Sequence, residues 1–240
     1  MSYYHYKRNI TIAELPMEVK KTLERTTVGL FEKAKVHIQN GKFEDAIEIL
    51  DELLETQPQI TEVWCNKAAA YLYWGVKFKE DDIVRNEHIY NDCFRKSHEA
   101  INEALDLNKR VPVFWLVKGS LMLEIASFRV AEDCFTKALK LNKKFAPAWI
   151  GKARAHYLIH VNKSKDEIKK AMEYADAAIM YDEKSSEAWL TKALILDELE
   201  RRIASEKCIQ KAAKLAIEQN IKDVLNQCLV FARKRGFKLD

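Results

Sequence analysis

Residues 112–145 read PVFWLVKGSLMLEIASFRVAEDCFTKALKLNKKF. Within them Trp115 is followed by Lys118 and Gly119, and then by Ala131, Phe135 and Ala138 at helical spacing. A large ring on one helix and small residues on one face of the next describe two helices packed closely together. The same pattern occurs five times. Its first half is Leu30-x-x-Lys33-Ala34, Trp64-x-x-Lys67-Ala68, Trp115-x-x-Lys118-Gly119, Trp149-x-x-Lys152-Ala153 and Trp189-x-x-Lys192-Ala193. Its second half is Ala46/Leu50/Leu53, Ser97/Ile101/Ala104, Ala131/Phe135/Ala138, Ala171/Ala175/Ala178 and Ser205/Ile209/Ala212. A helix pair repeated in this way implies a solenoid, in which each pair buries its apolar face only against its neighbours.

The motif lysines stand 34, 51, 34 and 40 residues apart. From each lysine to the first small residue of the second half the distance is 13 in the first, third and fifth copies, 30 in the second and 19 in the fourth. Both insertions therefore lie inside a repeat, at roughly 74–90 and 159–168, while the junctions between repeats keep their length. The first insertion, from Trp74 to Tyr90, can extend both helices or form a structured loop.

This pattern resembles the tetratricopeptide repeat, a 34-residue helix pair with tryptophan, glycine and tyrosine on the first helix, alanine and phenylalanine on the second and a proline near the end. Residues 112–145 match best, and Pro58 fills the terminal proline place of the first copy. Lysine replaces the family's leucine three residues after the tryptophan, and Lys109, Lys143 and Glu183 stand where later prolines would. The expected fold is all-α: a right-handed superhelical solenoid of about five helix-turn-helix repeats with a C-terminal capping helix. The expected organisation is an N-terminal extension and leading helix (1–26), repeats at 27–60, 61–111, 112–145, 146–185 and 186–219, and a capping helix and tail (220–240). Residues 1–13 read as an extended lead, with apolar helical spacing from about Leu15. Asn40-Gly41 reads as a helix stop.

Composition agrees. Six glycines and four prolines in 240 residues favour long helices with short connections. Pro112 and Pro147 stand at helix starts, where a missing N–H costs nothing. No apolar run reaches the eighteen or so residues of a membrane span, and residues 1–12 lack the apolar centre of a secretory signal. Cys65, Cys93, Cys134, Cys208 and Cys228 are scattered and odd in number, as expected of reduced core residues in a cytoplasmic protein. The net charge is only +4, a weak argument for nucleic acid; residues 201–240, ending in Arg233-Lys234-Arg235, hold ten Lys/Arg against four Asp/Glu.

Chemistry-bearing motifs are scarce. There is no nucleophile elbow, phosphate loop or dinucleotide fingerprint. His156 and His160 have the i, i+4 spacing of a metal-gripping pair, but zinc needs three or four ligands. They are read as a core histidine beside a loop histidine, and neither a resident metal nor a cofactor is expected. The motif lysines are read as aliphatic stems laid on the helix pair with their ammonium groups outward; the competing reading is a row of cations that meets an acidic ligand.

The resemblance implies that the first helices line a concave groove. The corresponding residues are Phe31, Lys35 and Ile38; Cys65, Asn66, Ala69 and Tyr73; Leu116, Val117 and Ser120; Ile150, Arg154 and Tyr157; and Leu190, Leu194 and Asp197. Relatives that hold chaperone tails carry lysines, asparagines and an arginine at places filled here by Phe31, Lys35, Asn66, Val113 and Val117, of which only Asn66 fits. The function expected is thus a non-catalytic protein-interaction scaffold or adaptor, taking a peptide or helix of a partner protein in a largely apolar trough. A second copy of the chain or its own first thirteen residues can also cover such a trough. An RNA- or DNA-binding solenoid using the basic C-terminal region, and a regulatory subunit of an enzyme complex, are the alternatives.

Overall fold

The computed structural model describes residues 25–161 and 163–239; the lead at 1–13 and the start of the leading helix near Leu15 lie outside them. Among the described residues the chain is all helical: α1 (Arg25–Gln39), α2 (Phe43–Thr56), α3 (Thr61–Asp81), α4 (Glu87–Leu107), α5 (Pro112–Glu124), α6 (Phe128–Leu141), α7 (Ala146–His160), α8 (Lys165–Tyr181), α9 (Ser186–Glu198), α10 (Arg202–Glu218) and α11 (Lys222–Arg235). They form two compact units that divide within α5, between Leu121 and Met122.

In each unit consecutive helices pack as antiparallel pairs: α1 with α2 and α3 with α4 in the first, α8 with α7 and α9, α10 with α9 and α11 in the second. The small residues make this possible. Ala34, Ala46, Ala68, Ala153, Ala171, Ala175, Ala193 and Ala212 are fully buried. Where the second half of a repeat opens with serine, its hydroxyl donates to the carbonyl of the motif alanine: Ser97 to Ala68 and Ser205 to Ala193, both 2.8 Å and buried. The buried hydroxyls are thereby satisfied.

The four motif tryptophans also act through their polar edge. Trp64, Trp115, Trp149 and Trp189 each donate the indole N–H to a carbonyl six residues earlier, on Pro58, Lys109, Lys143 and Glu183, at 2.8–2.9 Å. These acceptors occupy the terminal-proline position, so a proline there is dispensable; the turn needs only a backbone carbonyl. Side chains complete three of the turns: Asn108, Asn142 and Asp182 accept from the amides of Arg110, Lys144 and Lys184.

Within a repeat, the turn between helices also recurs. Gly41, Ala126 and Glu200, each eight residues after its lysine, adopt φ of 72°, 58° and 59°. The next residue's amide returns to the carbonyl five residues back: Lys42 to His37, Ser127 to Met122, Arg201 to Leu196. Only the first copy uses glycine at this left-handed position. The 74–90 insertion extends both helices, so that α3 and α4 have 21 residues each. Asp82 turns the chain between them by accepting from Val84 N and Arg85 N, and Asn86 Nδ2 donates back to Phe78 O.

The second unit has a close approach at Gly151 on α7, where a Cβ would overlap the Phe135 ring on α6. Phe135 is fully buried and cannot swing away. Gly151→Ala should therefore lower stability by about 1–3 kcal/mol in urea unfolding, although alanine is the better helix former. A gain in stability would contradict this packing.

Candidate functional site

The motif lysines are spent on packing. Lys67 pairs with Asp51 and Lys192 with Asp176, and Lys118 donates to Asn102 Oδ1 at 2.7 Å; each partner lies sixteen residues earlier, on the preceding repeat's second helix. In the fourth copy Thr136 holds that place, and Lys152 lies 4.5 Å from the Tyr174 ring centroid instead. Lys67 and Lys192 also cover the rings of Trp64 and Trp189. The lysines therefore join repeats, and Lys33 alone of the five is exposed.

Most of the candidate groove positions are internal. Phe31, Lys35, Ile38, Cys65, Asn66, Tyr73, Leu116, Val117, Ser120, Ile150, Arg154 and Leu190 are buried, and Ala69, Tyr157, Leu194 and Asp197 are half-buried. Polar members are held locally. Lys35 reaches Glu32 at 3.0 Å, Asn66 donates to Glu62 O at 2.8 Å, and Arg154 on α7 reaches Glu187 on α9 at 3.0 Å. Burial pushes the Glu187 carboxyl above the ordinary carboxylate range, and the Arg154 guanidinium opposes that rise.

Four of these positions meet at one cleft. Tyr157 from α7 and Leu190, Leu194 and Asp197 from α9 line a cavity of about 460 Å³, together with Glu198. Its other wall is a single face of α11: Asn226, Gln227, Val230, Phe231, Lys234 and Arg235. The α9 residues recur at i, i+4, i+7 and i+8, and those of α11 in alternating steps of one and three residues, so each helix presents one stripe. Val230 is 69% exposed beside this apolar floor. On the polar rim Arg235 pairs with Asp197, and the Tyr157 hydroxyl donates to Glu198 Oε2 at 3.4 Å. Burial, followed by the Glu198 charge, pushes the Tyr157 phenol up to about 12, so it stays a neutral donor at physiological pH.

The C-terminal residues beyond α11 set its position. Gly236, with φ 66°, reverses the chain, and Phe237 is buried against Phe231 in an edge-to-face contact at 5.8 Å. Lys238 N donates to Glu206, Gln210 donates to Lys238 O, and Arg202 donates to Arg235 O. Sequence reading placed a cap here but had no signal that its outer stripe and the last first-helix would enclose a cavity.

The structure also brings a third group to the histidine pair. His156 on α7 is buried, its ring centroid is 4.6 Å from that of His160, and Glu167 on α8 lies against both. All five cysteines are buried, and none is in a disulfide. Burial raises the Cys65 and Cys208 thiols, and pushes Cys93 up to about 11 and Cys228 up to about 12. A raised thiol is less readily ionised, which disfavours these four as nucleophiles at neutral pH.

Profiles described as tetratricopeptide repeat match residues 28–70 and 186–216. Among solved structures, a thermophilic TPR protein of Thermus thermophilus is similar over 84% of this chain and 98% of its own, with 14% identity and a TM-score of 0.66. The 41-end segment of MamA from Desulfovibrio magneticus RS-1 is similar over 79% and 94%, with 13% identity and a TM-score of 0.56. YrrB, described as a TPR protein with an unusual peptide-binding site, is similar over 91% and 97%, with 12% identity and a TM-score of 0.51. At these identities the likeness establishes the fold. No curated protein matches the chain in sequence.

If Phe237 anchors the cleft's outer wall, Phe237→Ala should lower stability by roughly 3 kcal/mol and speed tryptic cleavage at Arg233–Arg235. Unchanged proteolysis would mean that α11 is held by other contacts.

Proposed function

From its membership of the tetratricopeptide-repeat family, we propose that this chain is a non-catalytic protein-interaction scaffold. Its partner-binding site is the cleft between α7, α9 and α11, and the occupant is an apolar stretch of a partner protein. The observation that carries this reading is the cleft itself: an apolar floor of Leu190, Leu194 and Phe231, an exposed Val230 at its edge, and a rim on which Arg235 pairs with Asp197. Asp197 and Glu198 balance Lys234 and Arg235 in number, which leaves no net charge to attract an ionic ligand, so apolar contact supplies the affinity and the rim amides of Asn226 and Gln227 supply orientation.

The groove expected from the repeat pattern is thereby narrowed. Binding is assigned to Tyr157, Leu190, Leu194 and Asp197 with the α11 stripe, whereas the other first-helix positions serve chiefly to pack the repeats. The peptide-binding site described for YrrB supports the class of ligand. Buried cysteines outside disulfides accord with a reducing, cytoplasmic location, and no helix among the described residues is long and apolar enough to cross a membrane. Arg235 is committed to Asp197, which weakens the case for a nucleic-acid face built on Arg233–Arg235.

Leu116 and Leu190 are too buried to serve as probes, since charges there would unfold the chain. Val230 is suitable, and Met180, equally exposed at 69% but away from the cleft, is its control. Partner capture from native cells by Val230→Glu should fall at least about tenfold, equivalent to about 1.4 kcal/mol, with helix content unchanged. Met180→Glu should bind like the wild type. Undiminished capture by Val230→Glu, or equal loss in both variants, would place binding elsewhere.

A further inference from the structure

The fourth repeat exceeds its register by six residues, at roughly 159–168. That insertion contains His160, on the same helix as His156, and Glu167, which the next helix carries to His156. We propose that His156, His160 and Glu167 form a binding site for one divalent transition-metal ion of the zinc type.

Geometry comes first. His156 and His160 stand one turn apart at the end of α7, and Glu167 lies in the first turn of α8. One donor atom from each lies within 4.8 Å of the others. Donors about 2.0–2.2 Å from a tetrahedral zinc lie roughly 3.3–3.6 Å apart, so small side-chain rotations close the set. The start of α8 is itself fixed, because Ser164 Oγ accepts from the Glu167 amide.

The surroundings of His156 are those of a ligand held ready. Its Nδ1 lies 2.8 Å from Glu132 Oε1 on α6, and its Nε2 lies 3.1 Å from Glu167 Oε2. A carboxylate that accepts the Nδ1 proton fixes the tautomer, and the Nε2 lone pair then faces Glu167 and His160. Carboxylate–histidine–metal arrangements are built this way. The Tyr174 ring packs edge-on at 5.4 Å and holds the imidazole from the side. Lys170 binds the other Glu167 oxygen, Oε1, at 2.7 Å and leaves Oε2 for the ion. His156 is buried while His160 and Glu167 are half-buried, which gives the ion an entry route and leaves a fourth position for water.

The donor set selects the ion. Two imidazoles and one carboxylate suit zinc and its first-row neighbours, whereas magnesium and calcium prefer all-oxygen shells. Coordination uses the Nε2 lone pair, so any proton on that nitrogen is released to solvent as the ion binds. The ion would bind the end of α7 to the start of α8 across the inserted turn.

The test uses the full chain, stripped with chelator and titrated with Co²⁺ and then Zn²⁺. The expected result is one Co²⁺ per chain, with the visible spectrum of a four-coordinate nitrogen/oxygen site that Zn²⁺ abolishes. The melting temperature should rise by about 5–10 °C at a hundredfold excess over Kd. His160→Ala and Glu167→Gln should each weaken binding at least about a hundredfold, and Glu132→Gln about 10–100-fold. His98→Ala should bind like the wild type. The melting curve of each metal-free variant separates loss of a ligand from loss of the fold. No stoichiometric uptake below millimolar metal, or equal affinity in the wild type, His160→Ala and Glu167→Gln, would overturn the site.

Discussion

An indole N–H that reaches a turn carbonyl six residues behind it fixes how one repeat hands over to the next. Trp64, Trp115, Trp149 and Trp189 all make this bond, at 2.8–2.9 Å. It ties the entry of each first helix to the turn that precedes it, and so sets the height at which the next residues meet the previous helix. Three residues on, Lys67, Lys118 and Lys192 then find Asp51, Asn102 and Asp176. One residue further, the motif alanine lies where a serine or alanine of the second helix can touch its backbone. An individual hydrogen bond of this kind contributes only about 0.5–1.5 kcal/mol, but each recurs at the same register, and a repeat fold is a sum of such local terms.

Much of this architecture was legible because it is periodic. Tryptophan, lysine and alanine at constant spacing marked the first helices, and the small residues marked the second. The stop after α1 was readable from Gly41, but its counterparts at Ala126 and Glu200 were not, since neither residue type announces a left-handed turn. The length of the first insertion was plain from the spacing, but its form was not. Helical spacing continues through Trp74 and Phe78 on one side and Tyr90 and Phe94 on the other, and only the Asp82 and Asn86 turn shows where the chain reverses.

The candidate site was less legible, for a physical reason. Residues on first helices serve both a groove and the contact with the neighbouring repeat, and one sequence cannot say which use dominates. Cys65, Leu116 and Ile150 went to packing, whereas Tyr157, Leu194 and Asp197 reached a cleft because α11 stands opposite them. The histidine pair suffered the same limit: Glu132 and Glu167 come from separate helices, 24 and 11 residues from His156. In both places the decisive partner is brought by tertiary structure, at the end of the repeat array or inside an insertion, where periodicity is broken.

The account rests on the tryptophan-to-turn bond, and exchange of the indole protons with solvent, monitored by nitrogen-edited NMR, tests it most directly. Hydrogen-bonded indoles open only by local unfolding, so the Nε1 protons of Trp64, Trp115, Trp149 and Trp189 should exchange about tenfold more slowly than that of free indole. Exchange of all four at the free-indole rate in the folded protein would contradict it.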